Sequence, residues 1–191
     1  MSVLDERFDT LENKIKTKKF REKRGLGNEV SYYIFDYAAE DEFYVRERID
    51  YIKKHYKNSA DEYKIVVFDL YDIMIETLEN KKYLEKCYAL EAKKGFQKIS
   101  TAVANLLRVN STEGILVKYI QERIPNKAII FITGIGKCYP IIRSHTVLNN
   151  LHLVIDKVPV VMFYPGKFNG QTLMLFGEIK DDNYYRAIKI V

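Results

Sequence analysis

The stretch that decides the fold runs from Ala128 to Gly177, AIIFITGIGKCYPIIRSHTVLNNLHLVIDKVPVVMFYPGKFNGQTLMLFG. Two short apolar runs, Ile129 to Ile132 and Val158 to Tyr164, each lead into a glycine-containing loop, and residues at helical spacing lie between them. That is the pattern of a β-loop-α-β unit. An unbroken apolar run of strand length predicts a strand covered on both faces, and so a mostly parallel sheet with helices on either side. Ligands of such sheets sit in the crevice beyond the carboxyl ends of the strands. Here those ends carry Thr133-Gly134-Ile135-Gly136-Lys137 and Tyr164-Pro165-Gly166-Lys167, so a site is expected at this edge.

Two glycines and a lysine after the Ile129 strand are the ingredients of a phosphate-cradling loop. The spacing is not that of a Walker A loop, and Cys138 stands where a Mg²⁺-binding hydroxyl would be. A tight strand-to-helix turn explains the same glycines. Pro140 suits the first turn of the next helix, expected to run to about Leu151. Arg143, Ser144 and His145 crowd its start, and the planar fork of Arg143 suits a phosphate or a partner carboxylate. His145 shares a helix face with Asn149 but has no Cys, Ser or Asp at a convincing offset, so a structural role competes with a chemical one. Residues 164–171 read as a loop and Leu173 to Phe176 as a returning strand. After a turn over 177–183, Tyr184 to Val191 alternates like an edge strand.

Upstream, Leu4, Phe8, Leu11 and Ile15 predict a helix over about residues 3–19, with Asp5, Glu6 and Asp9 near its positive pole. Its second half turns cationic through Lys14, Lys18, Arg21 and Arg24, and Gly25 and Gly27 end the segment. Those cations either complement the helix dipole or form an arm for nucleic-acid phosphates or an acidic partner. Tyr32 to Phe35 and Ile65 to Phe68 read as strands, each ending in an aspartate, Asp36 and Asp69, with a crossover helix over 40–56 between them. On neighbouring strands the two carboxylates could hold Mg²⁺; as N-caps they would begin the following helices. From Tyr71 to Ile124 the pattern is helical, divided by Gly95, Asn110-Ser111-Thr112 and Pro125 into three or four helices, and it carries no catalytic residue pattern. An insertion of that length predicts a helical side lobe, a natural docking surface.

At 191 residues a single domain over 1–191 is expected, large enough to bury a core without staples. Apolar residues make up 47% and charged residues 30%, which excludes disorder over most of the chain. The formal charge of +5 and a pI near 9.0 permit nucleic-acid contact without demanding it. Cys87 and Cys138 lie far apart and the three histidines are scattered, so no zinc-ligand spacing arises and no metal or cofactor is expected. No apolar run reaches the ~20 residues of a membrane span, and the acidic start MSVLDERFDT is unlike a signal peptide. A cytoplasmic protein with reduced thiols is expected.

The segments LDERFDTLE, GLGNEVSYYIFDYAAEDEFYVRERI, FITGIGKCYPIIRSHTVLNNL and VPVVMFYPGKFNGQTLMLFGEIKDDNYYRAI resemble the BrxB family of bacterial BREX phage-defence systems. The likeness spans nearly the whole chain and is weakest from Lys81 to Gln121. It implies an assembly or interaction subunit that binds the alkaline-phosphatase-superfamily protein PglZ and other BREX proteins, supporting phage restriction and host DNA methylation. It implies no catalytic residues. The expected fold is three-layer α/β, Rossmann-like or degenerate nucleotide-hydrolase-like, with a helical insertion over about 71–124.

Three functions therefore stand open. An interaction subunit would use the ligand-side edge, with Thr133, Gly134, Gly136, Lys137, Arg143, His145, Tyr164 and Gly166 as the candidate ligand or partner residues. A nucleic-acid module would use Lys14, Lys18, Arg21 and Arg24. A nucleotide-binding or hydrolysing domain would use Gly134, Gly136, Lys137 and Asp69.

Overall fold

The computed structural model describes residues 2–22, 32–56, 63–181, 183 and 185–191. The order of elements is α1 (Val3–Ile15), α2 (Lys18–Arg21), β1 (Tyr32–Tyr37), α3 (Glu42–His55), β2 (Lys64–Asp69), α4 (Leu70–Asn80), α5 (Leu84–Lys94) and α6 (Phe96–Leu107). Then follow α7 (Ile115–Gln121), β3 (Ala128–Thr133), α8 (Ile135–Cys138), α9 (Ser144–Val154), β4 (Val160–Phe168), β5 (Leu173–Leu175), β6 (Ile179–Asp181) and β7 (Ile188–Lys189).

Five strands form a parallel sheet in the order β2-β3-β4-β1-β7. Every residue of β3 is buried, as its unbroken apolar run requires of a strand covered on both faces. Ile129 and Phe131 face the layer made by α1, α2 and α3, with Phe8, Leu11 and Ile49 in the same core. Ala128, Ile130 and Ile132 face the opposite layer of α4, α6, α7 and α9, with Ile73, Val103, Ile120 and Leu151. The fold is therefore α/β with a mostly parallel central sheet between two helical layers. Its β3-α9-β4 portion is the β-loop-α-β unit expected of Ala128–Gly177.

Several local expectations need correction. The first helix is two, because α1 ends at Ile15 and Thr17 caps α2 by accepting from the Phe20 amide at 3.3 Å. Arg24, Gly25 and Gly27 lie outside the described residues. The crossover helix starts as a 3₁₀ turn over Ala39–Asp41 before α3. Pro140 does not open α9. The residue before a proline is pushed out of the helical region, and Tyr139 is extended, so the helix that follows begins only at Ser144.

Residues 164–168 are strand rather than loop: β4 continues past its parallel neighbours and pairs antiparallel with β5. Residues 179–181, placed in a turn, form β6 against β5. The final strand lies at the sheet edge as expected but shrinks to Ile188–Lys189, with Tyr184 outside the described residues. The insertion resolves into α4 to α7, in which α5 packs mainly on α6 and has no fully buried side chain.

Candidate functional site

At the carboxyl edge, Asp69 on β2 stands in register with Thr133 on β3. Its Oδ1 accepts from the amides of Tyr71 (3.0 Å) and Asp72 (3.1 Å), so it caps α4. Its Oδ2 accepts from Thr133 Oγ1 at 3.1 Å and from Lys137 Nζ at 2.8 Å. Lys137 also lies 3.5 Å from Asp72 and over the Tyr71 ring.

Gly134 takes φ of +78°, and a Cβ there would stand 2.4 Å from Asp69 Oδ1. Gly136 sits against Pro165 and the ring of Phe176. The glycine loop thus wraps a carboxylate of its own chain. An incoming phosphate would have to displace it against like charge.

A groove of about 560 Å³ crosses this edge between α3 and α4. Two of its other charges, Arg46 and Glu42, are paired with each other: Arg46 Nε lies 2.8 Å from Glu42 Oε1, and the Tyr37 hydroxyl donates to Glu42 Oε2 at 2.5 Å; Asp50 and Lys53 also line the groove. Burial first, and then the Glu42 carboxylate, push the Tyr37 phenol far above its ordinary range.

Asp36 does not share this groove with Asp69. Strands β3 and β4 lie between β1 and β2, which separates the two positions by roughly 14 Å at ordinary strand spacing. Nor does Asp36 cap a helix. It is buried, and it binds Arg7 Nη2 at 2.7 Å, Lys189 Nζ at 2.9 Å and the amide of Phe168 at 2.9 Å. It ties α1, β7 and the extension of β4 to the end of β1. Among the described residues, no group of three or more His, Cys, Asp or Glu is placed to hold a metal ion.

Beside α8 lies a second cavity of about 310 Å³, bordered by Tyr139, Arg143, Ser144, Tyr164 and Asp181. One connected polar network runs along it. His145 Nδ1 lies 2.9 Å from Asp181 Oδ2, the Tyr185 hydroxyl donates to the same oxygen at 2.6 Å, and Ser144 Oγ lies 3.3 Å from the Tyr185 hydroxyl. Partial burial would raise the Asp181 carboxyl, but hydrogen bonds from Tyr185, His145 and Asn183 outweigh it and hold the group below its ordinary range. Burial pushes the phenols of Tyr164 and Tyr185 far upward. Arg143 is exposed at the rim, at the N-terminal end of α9.

The eight candidate residues therefore split. Thr133, Gly134, Gly136 and Lys137 gather around Asp69, while Arg143, His145 and Tyr164 gather around the second cavity. Gly166 belongs to neither. It lies inside β4, where a Cβ would stand 2.1 Å from the carbonyl of Met174 on β5, so its role is close approach of two strands. Sequence reading missed Asp181 and Tyr185, because the partner of His145 lies 36 residues downstream and reaches it only through the β5-β6 hairpin. It also missed Ser144 as a member of this network.

Of the basic arm, Lys14 Nζ donates to the Ile190 carbonyl at 2.8 Å, and Lys18 pairs with Glu22 at 3.7 Å. Arg21 is buried, with its guanidinium over the Tyr63 ring. Arg24 lies outside the described residues.

A family model described as "BREX protein BrxB" matches residues 66–190 of this chain. A "BREX protein BrxB" of Bacillus cereus (strain H3081.97) is 49% identical over 191 residues, covering 100% of this chain and 99% of that protein. A "BREX protein BrxB" of Escherichia coli O9:H4 (strain HS) is 28% identical over 189 residues, covering 99% of this chain and 92% of that protein. No solved structure matches the chain.

Proposed function

The chain belongs to the BrxB family of BREX phage-defence proteins, and from that premise we propose that it is a non-catalytic assembly subunit that docks on PglZ. In this reading it supports phage restriction and host DNA methylation by holding other BREX proteins together in the cytoplasm. Among the described residues no helix is long and apolar enough to cross a membrane.

The observation that carries the reading is the internal pairing at the carboxyl edge. A catalytic crevice presents charges to its substrate. Here Lys137 and Arg46 are already engaged by Asp69 and Glu42, and the glycine loop encloses a carboxylate. Nucleotide hydrolysis is correspondingly disfavoured. DNA contact through the basic arm also draws little support, since Lys14 and Arg21 are spent on Ile190 and Tyr63.

The reading is tested by deleting the gene from its own BREX operon and restoring it on a plasmid. Loss of phage restriction and of host methylation, both recovered on restoration, is the expected result. Restriction and methylation that survive deletion would refute an assembly role.

A further inference from the structure

The α5-α6 hairpin carries an apolar groove that shares no lining residue with the two cavities of the carboxyl edge. Cys87 and Leu90 of α5 and Ile99, Ala102, Val103 and Leu106 of α6 line a channel of about 220 Å³ open to solvent, with Tyr83 and Lys86 completing the wall. Among the described residues, Lys86 is the one charged residue in that lining. The aromatic residue in its wall, Tyr83, is 37% exposed. An apolar groove open at the surface marks an interaction site more often than it marks idle surface.

Lys86 stands in the wall of the groove, and the segment that carries it is cationic. Residues 79–98 contain Lys81, Lys82, Lys86, Lys93, Lys94 and Lys98 against Glu79, Glu85 and Glu91, a local balance of +3. Among the described residues none of these six lysines forms an ion pair; Lys86 instead lies over the ring of Tyr83, 4.8 Å from its centroid, at the mouth of the groove. Two antiparallel helices with a greasy seam are the receiving half of a helix-in-groove contact, in which the ligand supplies apolar residues at i, i+3, i+4 and i+7. The charge of that segment selects what flanks them.

Resting on the reading of the chain as an interaction subunit, we infer that the α5-α6 groove is the docking site for an amphipathic helix of a partner protein, with acidic residues flanking its apolar face. A second copy of this chain is a poor occupant. Its net charge is +5, and the same lysines would face each other across a self-complementary contact. The acidic helix satisfies the seam and the lysines together.

The full-length chain is titrated against two fluorescent helical peptides with one apolar face, flanked in one case by glutamates and in the other by lysines, and against a DNA duplex. The same titrations use the Lys86→Glu, Lys93→Glu, Lys94→Glu triple variant, and a Lys53→Glu, Lys54→Glu variant on α3 as a control for charge alone. Thermal melts establish that both variants fold. The expected result is binding of the glutamate peptide at least tenfold tighter than the lysine peptide, lost at least tenfold in the triple variant and kept in the control.

Equal binding of the two peptides overturns the inference, as does binding indifferent to the triple variant. DNA bound more tightly than the glutamate peptide and released by the triple variant would make these lysines a phosphate surface instead, and also overturns it. Capture of the operon's own PglZ then separates the two readings. PglZ lost by the triple variant and kept by the control supports both. PglZ held equally by all three proteins overturns the groove and leaves the interaction reading standing. If the native chain captures no PglZ, the interaction reading fails and the peptide result alone decides the groove.

Discussion

Lys137 Nζ lies 2.8 Å from Asp69 Oδ2, beside the glycine loop Gly134-Ile135-Gly136 that has the ingredients of a phosphate cradle. The carboxylate also accepts the first amides of α4, so it is fixed from both sides. A calorimetric titration with ATP or GTP and Mg²⁺ is expected to show no binding heat. Affinity tighter than about 1 mM, some −4 kcal/mol, would contradict the account. Asp69→Ala removes a helix cap together with the Thr133 and Lys137 contacts and is expected to cost about 1–3 kcal/mol by urea denaturation.

Asp36 is the buried knot of the opposite end of the edge. Removing its carboxylate leaves the buried Phe168 amide without its acceptor and takes the shared anion from Arg7 and Lys189. Asp36→Ala is expected to cost about 2–4 kcal/mol. Arg7→Ala and Lys189→Ala are each expected to cost less, since both cations are partly solvated and can leave Asp36 its other partners. A neutral Asp36→Ala would refute this role.

Asp181 contributes to the pH dependence of stability, alongside Asp5 and Glu113, whose carboxyls are also held low. The folded Asp181 carboxyl titrates below the ordinary value of 3.8, so the unfolded chain takes up the proton first. Its contribution is fully present above that value and is lost as pH falls through the lower folded one. Stability measured by urea from pH 6 down to pH 3 should fall at the acid end, and Asp181→Asn should flatten that fall. An unchanged slope in the variant would place the acid sensitivity elsewhere.

Cysteine reactivity offers a test of packing. The Cys138 thiol is fully buried in α8, where burial pushes it up to about 12. Cys87 is half-buried on α5, and burial raises it less. Ellman's reagent should label Cys87 in the native protein and Cys138 only on unfolding, because the thiolate is the reacting form. Two native thiols reacting at equal rates would contradict the structure around α8.

Gly166 is where the strands β4 and β5 meet most closely. A Cβ there would collide with a backbone carbonyl, which cannot rotate away as a side chain can. Gly166→Ala is expected to cost about 1–3 kcal/mol and to loosen the hairpin that carries Asp181. Faster amide exchange confined to 173–181 would report it; an unaffected hairpin would not fit.

What could be read from the sequence was what a single segment dictates. Ile129–Ile132 must be a doubly covered strand, and an aspartate after Ile65–Phe68 is a natural cap, as Asp69 proves to be. What could not be read depends on which strands end up adjacent. Nothing local places β1 between β4 and β7, so Asp36 and Asp69 looked like neighbours. Pro165 and Gly166 looked like loop residues because a proline lacks an amide hydrogen. The strand tolerates Pro165 where β4 leaves its parallel partner β1 for the antiparallel pairing with β5. The His145–Asp181 pair was hidden by the same cause, a contact made through a hairpin that was read as loop and turn.

The central claim is that this BrxB-family chain works by binding its own operon's PglZ. Size-exclusion chromatography of the two purified proteins, at low and at high salt and with Arg143→Ala beside the native chain, tests it most directly. The account predicts a stoichiometric complex with the native chain, weakened by Arg143→Ala, which removes the guanidinium exposed at the start of α9. Separate elution of the two native proteins at low salt would contradict it.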